Sequence, residues 1–150
     1  MSEEEKIIGI LKKYTEAFSE EIPEKIMGLW TDDGVLMPPC CKSFVGREAI
    51  KKNYHFQFGY LKDICHCILH FNPEKIRINE NSSYVVGTLK DILHPVNGSQ
   101  VKEKIVHHGK FFMLLTRNNK AGWRIKYFIW NLDEIESYFK KFELLSDSVN

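Results

Sequence analysis

Concentrated charge of either sign is missing from this chain. Its 21 Lys and Arg are nearly balanced by 20 Asp and Glu, giving a formal net charge of +1, and the basic residues are scattered along the sequence. Binding to a phosphate backbone depends on massed positive charge, so no nucleic-acid partner is expected. Long apolar runs are missing too. No stretch approaches the length of a membrane span, and the opening Met-Ser-Glu-Glu-Glu-Lys is acidic where a secretory signal carries a basic residue and then an apolar run. The expectation is a cytoplasmic protein with no membrane partner. No glycine-rich phosphate loop or dinucleotide fingerprint occurs, so no cofactor is expected. The four cysteines fall as Cys40-Cys41 and Cys65-x-Cys67, and neither has the C-x-x-C spacing of a zinc ribbon or a redox motif. Zinc would require Cys65 and Cys67 to meet Cys40, Cys41 or a histidine from another strand, so free thiols and no metal are expected.

What is present is the composition of one packed domain. The chain has 150 residues, 43% of them hydrophobic, enough to bury a core without staples. No linker, repeat or low-complexity tract divides it, and residues 1–150 are read as a single domain.

Ile7, Ile10, Leu11, Tyr14 and Phe18 recur at spacings of three and four, which predicts a helix from Glu3 to about Ser19, with Ser2 and Glu5 placed as a capping box. Pro23 opens a second helix with Ile26, Met27, Leu29 and Trp30 on its apolar face, ended by Thr31-Asp32-Asp33-Gly34. Val35 to Met37 reads as a short strand that Pro38-Pro39 cannot continue, because proline has no amide donor for a ladder. A third helix runs from Gly46 to about Gly59 with Ile50, Tyr54 and Phe58 on one stripe.

After it the period changes to two. Residues 65–79, 83–94, 101–116 and 123–132 are rich in β-branched and aromatic side chains, and the segments between them have turn compositions of hairpin length. Asp133 to about Leu145 reads as a closing helix, with Ile135, Tyr138, Phe139 and Phe142 on one side. Helices followed by long antiparallel strands make an α+β order. A long twisted sheet curls, and helices across its concave face leave a cavity.

Five stretches carry a further signal: Tyr14-Thr15-Glu16-Ala17-Phe18, the run from Leu29 to Pro39, Phe44-Val45-Gly46-Arg47-Glu48-Ala49-Ile50, the run from Gly109 to Leu114, and Gly122-Trp123-Arg124-Ile125 leading to Ile129-Trp130-Asn131. In this order they resemble the SnoaL-like branch of the NTF2-like superfamily, over about Ile7 to Asp133. Its members include ketosteroid isomerases, polyketide cyclases and dehydratases. The resemblance implies a cone: a curved antiparallel sheet against three N-terminal helices, plus a C-terminal helix, around a pocket of small-molecule size.

The resemblance also shows what this chain lacks. The isomerases carry a carboxylate base just before the proline that follows the first strand, and Met37 stands there. Their oxyanion hole joins a tyrosine of the first helix to a protonated aspartate on a later strand. Tyr14 matches the tyrosine, but the only acid in residues 101–116 is Glu103, placed too early. Many SnoaL-like sequences have an aspartate two positions before the tryptophan of the final strand, where this chain has Phe128.

The expected function is a small-molecule pocket protein that binds, or slowly transforms by acid/base chemistry, an apolar ring-bearing or polyketide-like compound. Tyr14 and His108 are the catalytic candidates, and Phe18, Trp30, Met37, Tyr54, Phe58, Phe112, Lys126, Phe128 and Trp130 the ligand-binding ones. On the last strand alternation groups Lys126, Phe128 and Trp130. His107 and His108 point to opposite faces, and the register decides which of them enters the pocket. The bland reading of either is a satisfied histidine on the sheet. The alternative function is a non-enzymatic homodimeric module that pairs through the outer sheet face, with Tyr127 and Ile129 in the contact.

Overall fold

The computed structural model describes residues 1–134. Helix α1 spans Glu3–Ser19, and its start is the capping box that the sequence implies, with Ser2 and Glu5 bonding reciprocally. Helix α2, Pro23–Met27, is shorter than its apolar spacing suggests. The chain turns extended at Trp30, so strand β1 covers Trp30–Met37 and includes the Thr31-Asp32-Asp33-Gly34 run read above as a helix end. The short β2, Phe44–Val45, was not foreseen; it pairs antiparallel with β1 ahead of helix α3, Arg47–Leu61. The long strands are β3 (Cys65–Ile78), β4 (Ser82–Pro95), β5 (Ile105–Asn118) and β6 (Gly122–Leu132). Residues 101–104 lie outside β5 and belong to the connection before it. The closing helix expected from Asp133 falls almost wholly outside the described residues.

These strands form one sheet in the order β2-β1-β6-β5-β4-β3. The β3-β4-β5-β6 meander is antiparallel, as its turns require. The sheet as a whole is mixed rather than antiparallel, because β1 docks parallel to β6. The helical stretch α2 and the turn after it return the chain to the sheet at the far side of the meander, where the free edge is that of the last strand.

The sheet folds over at two glycines. A Cβ at Gly87 would lie 2.1 Å from the Asn72 carbonyl oxygen, and one at Gly109 would lie 2.2 Å from that of Asn131. Only glycine lets the neighbouring backbone approach so closely, and there the strands bend into a concave surface. Helix α1 covers that surface, tied to it by Thr15 Oγ1 donating to the Leu69 carbonyl at 2.8 Å. At its first turn, Glu3 accepts from the Trp123 indole at 2.6 Å and from Arg117 at 2.8 Å.

The core lies between helices and concave face and contains a cluster of aromatic rings. Tyr14 meets Phe71 and Phe128 edge-on, with ring centroids 5.4 and 5.6 Å apart. Phe18 packs against Phe58 at 5.1 Å, and Phe71 against Phe111 at 4.9 Å. Rings of this size dominate the burial energy of a small core, and edge-to-face pairs add to it.

Candidate active site

Strand alternation fixes which side chains enter the concave side. On β4 the buried positions are Ser83, Val85, Leu89, Asp91 and Leu93, and on β5 they are His107, Phe111, Met113 and Leu115. The register places Leu69 of β3, Asp91 of β4 and His107 of β5 in one row across the sheet. Besides Ser83, two ionisable side chains therefore stand in a mostly apolar interior. Asp91 and His107 are each 2% exposed, with Asp91 Oδ2 3.9 Å from His107 Nδ1. Neither nitrogen of the His107 ring has a hydrogen-bond partner among the described residues.

Opposite Asp91, across a small cavity, stand the hydroxyls of Tyr14 and Tyr54, which share a hydrogen bond. Burial pushes both phenols above their ordinary pKa, and for Tyr14 the nearby Tyr54 adds to the rise. Both stay protonated at any working pH, so the pair can donate to an oxygen but cannot act as a base.

The cavity is also lined by Phe18, Leu36, Pro38, Asn53, Gln57, Leu69 and Trp130, and its volume is about 30 Å³. That is space for a water molecule and not for a ring. Pro38, Asn53, Gln57 and Trp130 are half-buried, so the route to solvent lies between α3, the end of β1 and β6.

Tyr14, Phe18, Tyr54 and Trp130 thus come together around one cavity, as the sequence suggests. Phe58 and Phe128 are buried in the core behind its lining. The other candidates lie elsewhere. His108 and Phe112 occupy the phase of β5 opposite to His107 and Phe111, on the outer face, where Phe112 is 37% exposed and stacks on Tyr84. Trp30 is buried at the start of β1 and lines a separate groove. Met37 follows the inward Leu36 and so takes the outward phase, opposite Ile129 of β6. Lys126 departs from the Phe128 and Trp130 set because the β5-β6 register slips: Leu114 pairs with Tyr127 but Leu115 with Ile125, which leaves Lys126 as the bulged residue. Its ammonium binds Asp33 instead.

Asp91 was missed as a site residue. The signal was there, because it stands in phase with Val85, Leu89 and Leu93, where a period-two strand buries its side chains. Cys65 and Cys67 are buried on the inward phase of β3, with sulfurs 3.8 Å apart, and Cys40 and Cys41 are exposed in the connection between β1 and β2. No group of three or more metal-ligating side chains is gathered among the described residues.

No protein-family profile matches the chain, and no curated protein matches it. Solved structures do. An NTF2-like protein with a cystatin-like fold from Novosphingobium aromaticivorans superposes with a TM-score of 0.75 at 17% identity, covering 95% of this chain and 88% of that one. A ketosteroid isomerase-like protein from Erwinia carotovora atroseptica gives 0.70 at 16% identity, covering 85% and 94%. A structure described as a candidate scytalone dehydratase from N. aromaticivorans gives 0.72 at 15% identity, covering 85% and 82%. The chain has the NTF2-like fold, an α+β cone built on a bent six-stranded sheet. No helix among the described residues is long and apolar enough to cross a membrane.

Proposed function

We propose that this chain is an acid/base pocket protein acting on a small carbonyl-bearing or hydroxyl-bearing ring compound, with Asp91 taking up or returning the proton and the Tyr14-Tyr54 pair holding the substrate oxygen. The observation that carries the reading is a carboxylate and an imidazole buried side by side, in a mostly apolar interior, at the edge of a cavity that two phenols also face. Burying ionisable groups costs stability, and such costs concentrate at functional sites. The similarity to ketosteroid isomerase-like and dehydratase-like structures supports the same class of chemistry. In this reading His107 does not touch the substrate; it sits behind Asp91 and steadies its charge. The cavity of about 30 Å³ holds one water in the closed form, so a ring enters only when Trp130 and the connection after Pro38 give way.

The test is exchange of the protons beside the carbonyl of cyclic ketones in D2O, followed by NMR. Wild type should catalyse exchange for some members of a panel. Asp91→Asn should lower the rate by about 10²- to 10⁴-fold, as expected for loss of a general base, and Tyr14→Phe by less. Wild type that exchanges no ketone and whose melting temperature no ring compound raises would overturn the reading.

A specific observation favours a second reading alongside it. Two adjacent rows cross the outer face, Val86-Phe112-Ile129-Met37 and Tyr84-Leu114-Tyr127-Val35. Val86, Phe112, Tyr127 and Ile129 are each more than a third exposed. We propose that a second copy of the chain covers this patch, since its eight side chains are uncharged, with Lys75 and Arg77 of β3 bounding it at one end, and an isologous contact would match it with itself. Light scattering should give a dimer at micromolar concentration, and Ile129→Lys should give a monomer of 17.6 kDa. A wild-type monomer would sink this reading and leave the acid/base one standing.

A further inference from the structure

A second and larger concavity plays no part in this chemistry. It encloses about 590 Å³ between the α2-β1 junction and the β5-β6 turn, and shares no lining residue with the inner cavity. That volume suits a small-molecule ligand. Three arginines line it against a single acid, Asp32.

The three guanidiniums are held in different ways. Arg117 is neutralised: it donates to Glu3 at 2.8 Å and to the Glu80 carbonyl at 2.7 Å, and it lies over the Trp123 ring. Arg47 donates to the Met27 carbonyl at 2.8 Å, and Asp32 stands 3.9 Å away with its side chain 98% exposed. Arg124 donates to the Trp123 carbonyl at 2.9 Å, and among the described residues no carboxylate lies within ion-pair distance of it. A backbone carbonyl orients a guanidinium without cancelling its charge, and it occupies one of five N–H donors. Two oriented, under-neutralised forks therefore border one groove, together with Thr31 and Thr116.

We propose that this groove binds a phosphate group, carried by a small organic ester or free, with Arg47 and Arg124 as its main ligands. The number of donors decides between oxyanions. A carboxylate has two oxygens, which one bidentate fork satisfies, whereas a tetrahedral phosphate has oxygens left for a second fork and for threonine hydroxyls. A nucleic acid does not fit, because the groove is local and the chain's other basic residues are scattered.

The experiment is a titration of the full chain at low ionic strength with phenyl phosphate, inorganic phosphate and benzoate, read by amide shifts in two-dimensional NMR. Phosphate probes should saturate, with shifts centred on Thr31, Thr116 and Arg124, and benzoate should bind more weakly. Preference for phenyl phosphate assigns an ester, and preference for inorganic phosphate assigns the free anion. Arg124→Gln should weaken binding by about tenfold or more, and Arg124→Lys should restore only part of it, since an ammonium keeps the charge and loses the fork. Lys110→Gln, on the outer face, should change nothing. If Arg124→Gln does not fold, Thr116→Val should weaken binding without moving the shifts elsewhere. Benzoate binding as tightly as phenyl phosphate, equal losses in Arg124→Gln and Lys110→Gln, or no saturation at millimolar concentration would each overturn the proposal.

Discussion

The two faces of the sheet are made from the same strands, residue by residue in alternation, yet they obey different rules. The concave face is covered by helices and closely packed, and the polar side chains that β4 and β5 bury there are Asp91, His107 and Ser83. The convex face carries half-exposed apolar rows beside Thr88, Lys90, His108 and Lys110, all in contact with solvent. His107 and His108 are consecutive in the chain and share no environment. A substitution on one face should therefore say nothing about its neighbour on the other.

The sharpest break of that comparison is Phe128 against Ile129. Phe128 is fully buried against Tyr14, Phe71 and Phe111, so Phe128→Ala should cost about 3 to 5 kcal/mol in urea denaturation, whereas Ile129→Ala in the monomer should stay within about 0.5 kcal/mol. Similar costs at both positions would mean that the faces are not distinct.

Next in size is the shared phenol bond. Tyr14→Phe keeps the ring and its edge contacts and leaves the buried Tyr54 hydroxyl without that partner, for an expected loss of about 1 to 3 kcal/mol. A neutral outcome would show that water in the cavity replaces the lost hydroxyl.

The histidines sharpen the contrast further. The His107 ring is buried 3.9 Å from the buried Asp91 carboxylate, so His107→Leu takes the imidazole from beside that charge and should lower both the melting temperature and the rate. His108→Leu should leave both within error. An unchanged melting temperature and rate for His107→Leu would mean that the imidazole does not steady the Asp91 charge.

The smallest effect belongs to the rim, where α1 closes over the concave face. The Lys6 ammonium, then the Trp123 indole, hold the Glu3 carboxyl down to about 2 from an ordinary 4.5. A lowered folded-state pKa contributes stability that is complete above 4.5 and is lost as the pH falls through about 2. The stability difference between wild type and Glu3→Gln should be present at neutral pH and vanish across that acid window. A difference that does not change with pH would remove the carboxylate from the account.

Much of the architecture was legible because its causes are local. Ser2 and Glu5 mark the start of α1, Pro23 marks the start of α2, and the turn compositions bound four long strands, since capping and turn chemistry act over three to five residues. The misreadings share one cause of the opposite kind. Trp30 fits a helical stripe by spacing, but the sheet edge offered by β6 draws it into β1. Lys126 fits the Phe128 face by alternation, but a one-residue bulge against β5 removes it.

Composition and periodicity by themselves determined that this chain forms an α+β fold with several aromatic side chains in its core, because those properties follow from what each residue type buries and how each period repeats. Only the tertiary structure decided that His107 rather than His108 turns inward, that Asp91 joins it beside Tyr14 and Tyr54, and that Arg47 and Arg124 line one groove. Register and bulges set those outcomes, and a shift of one residue in pairing exchanges the two faces of a strand without changing a letter of its sequence.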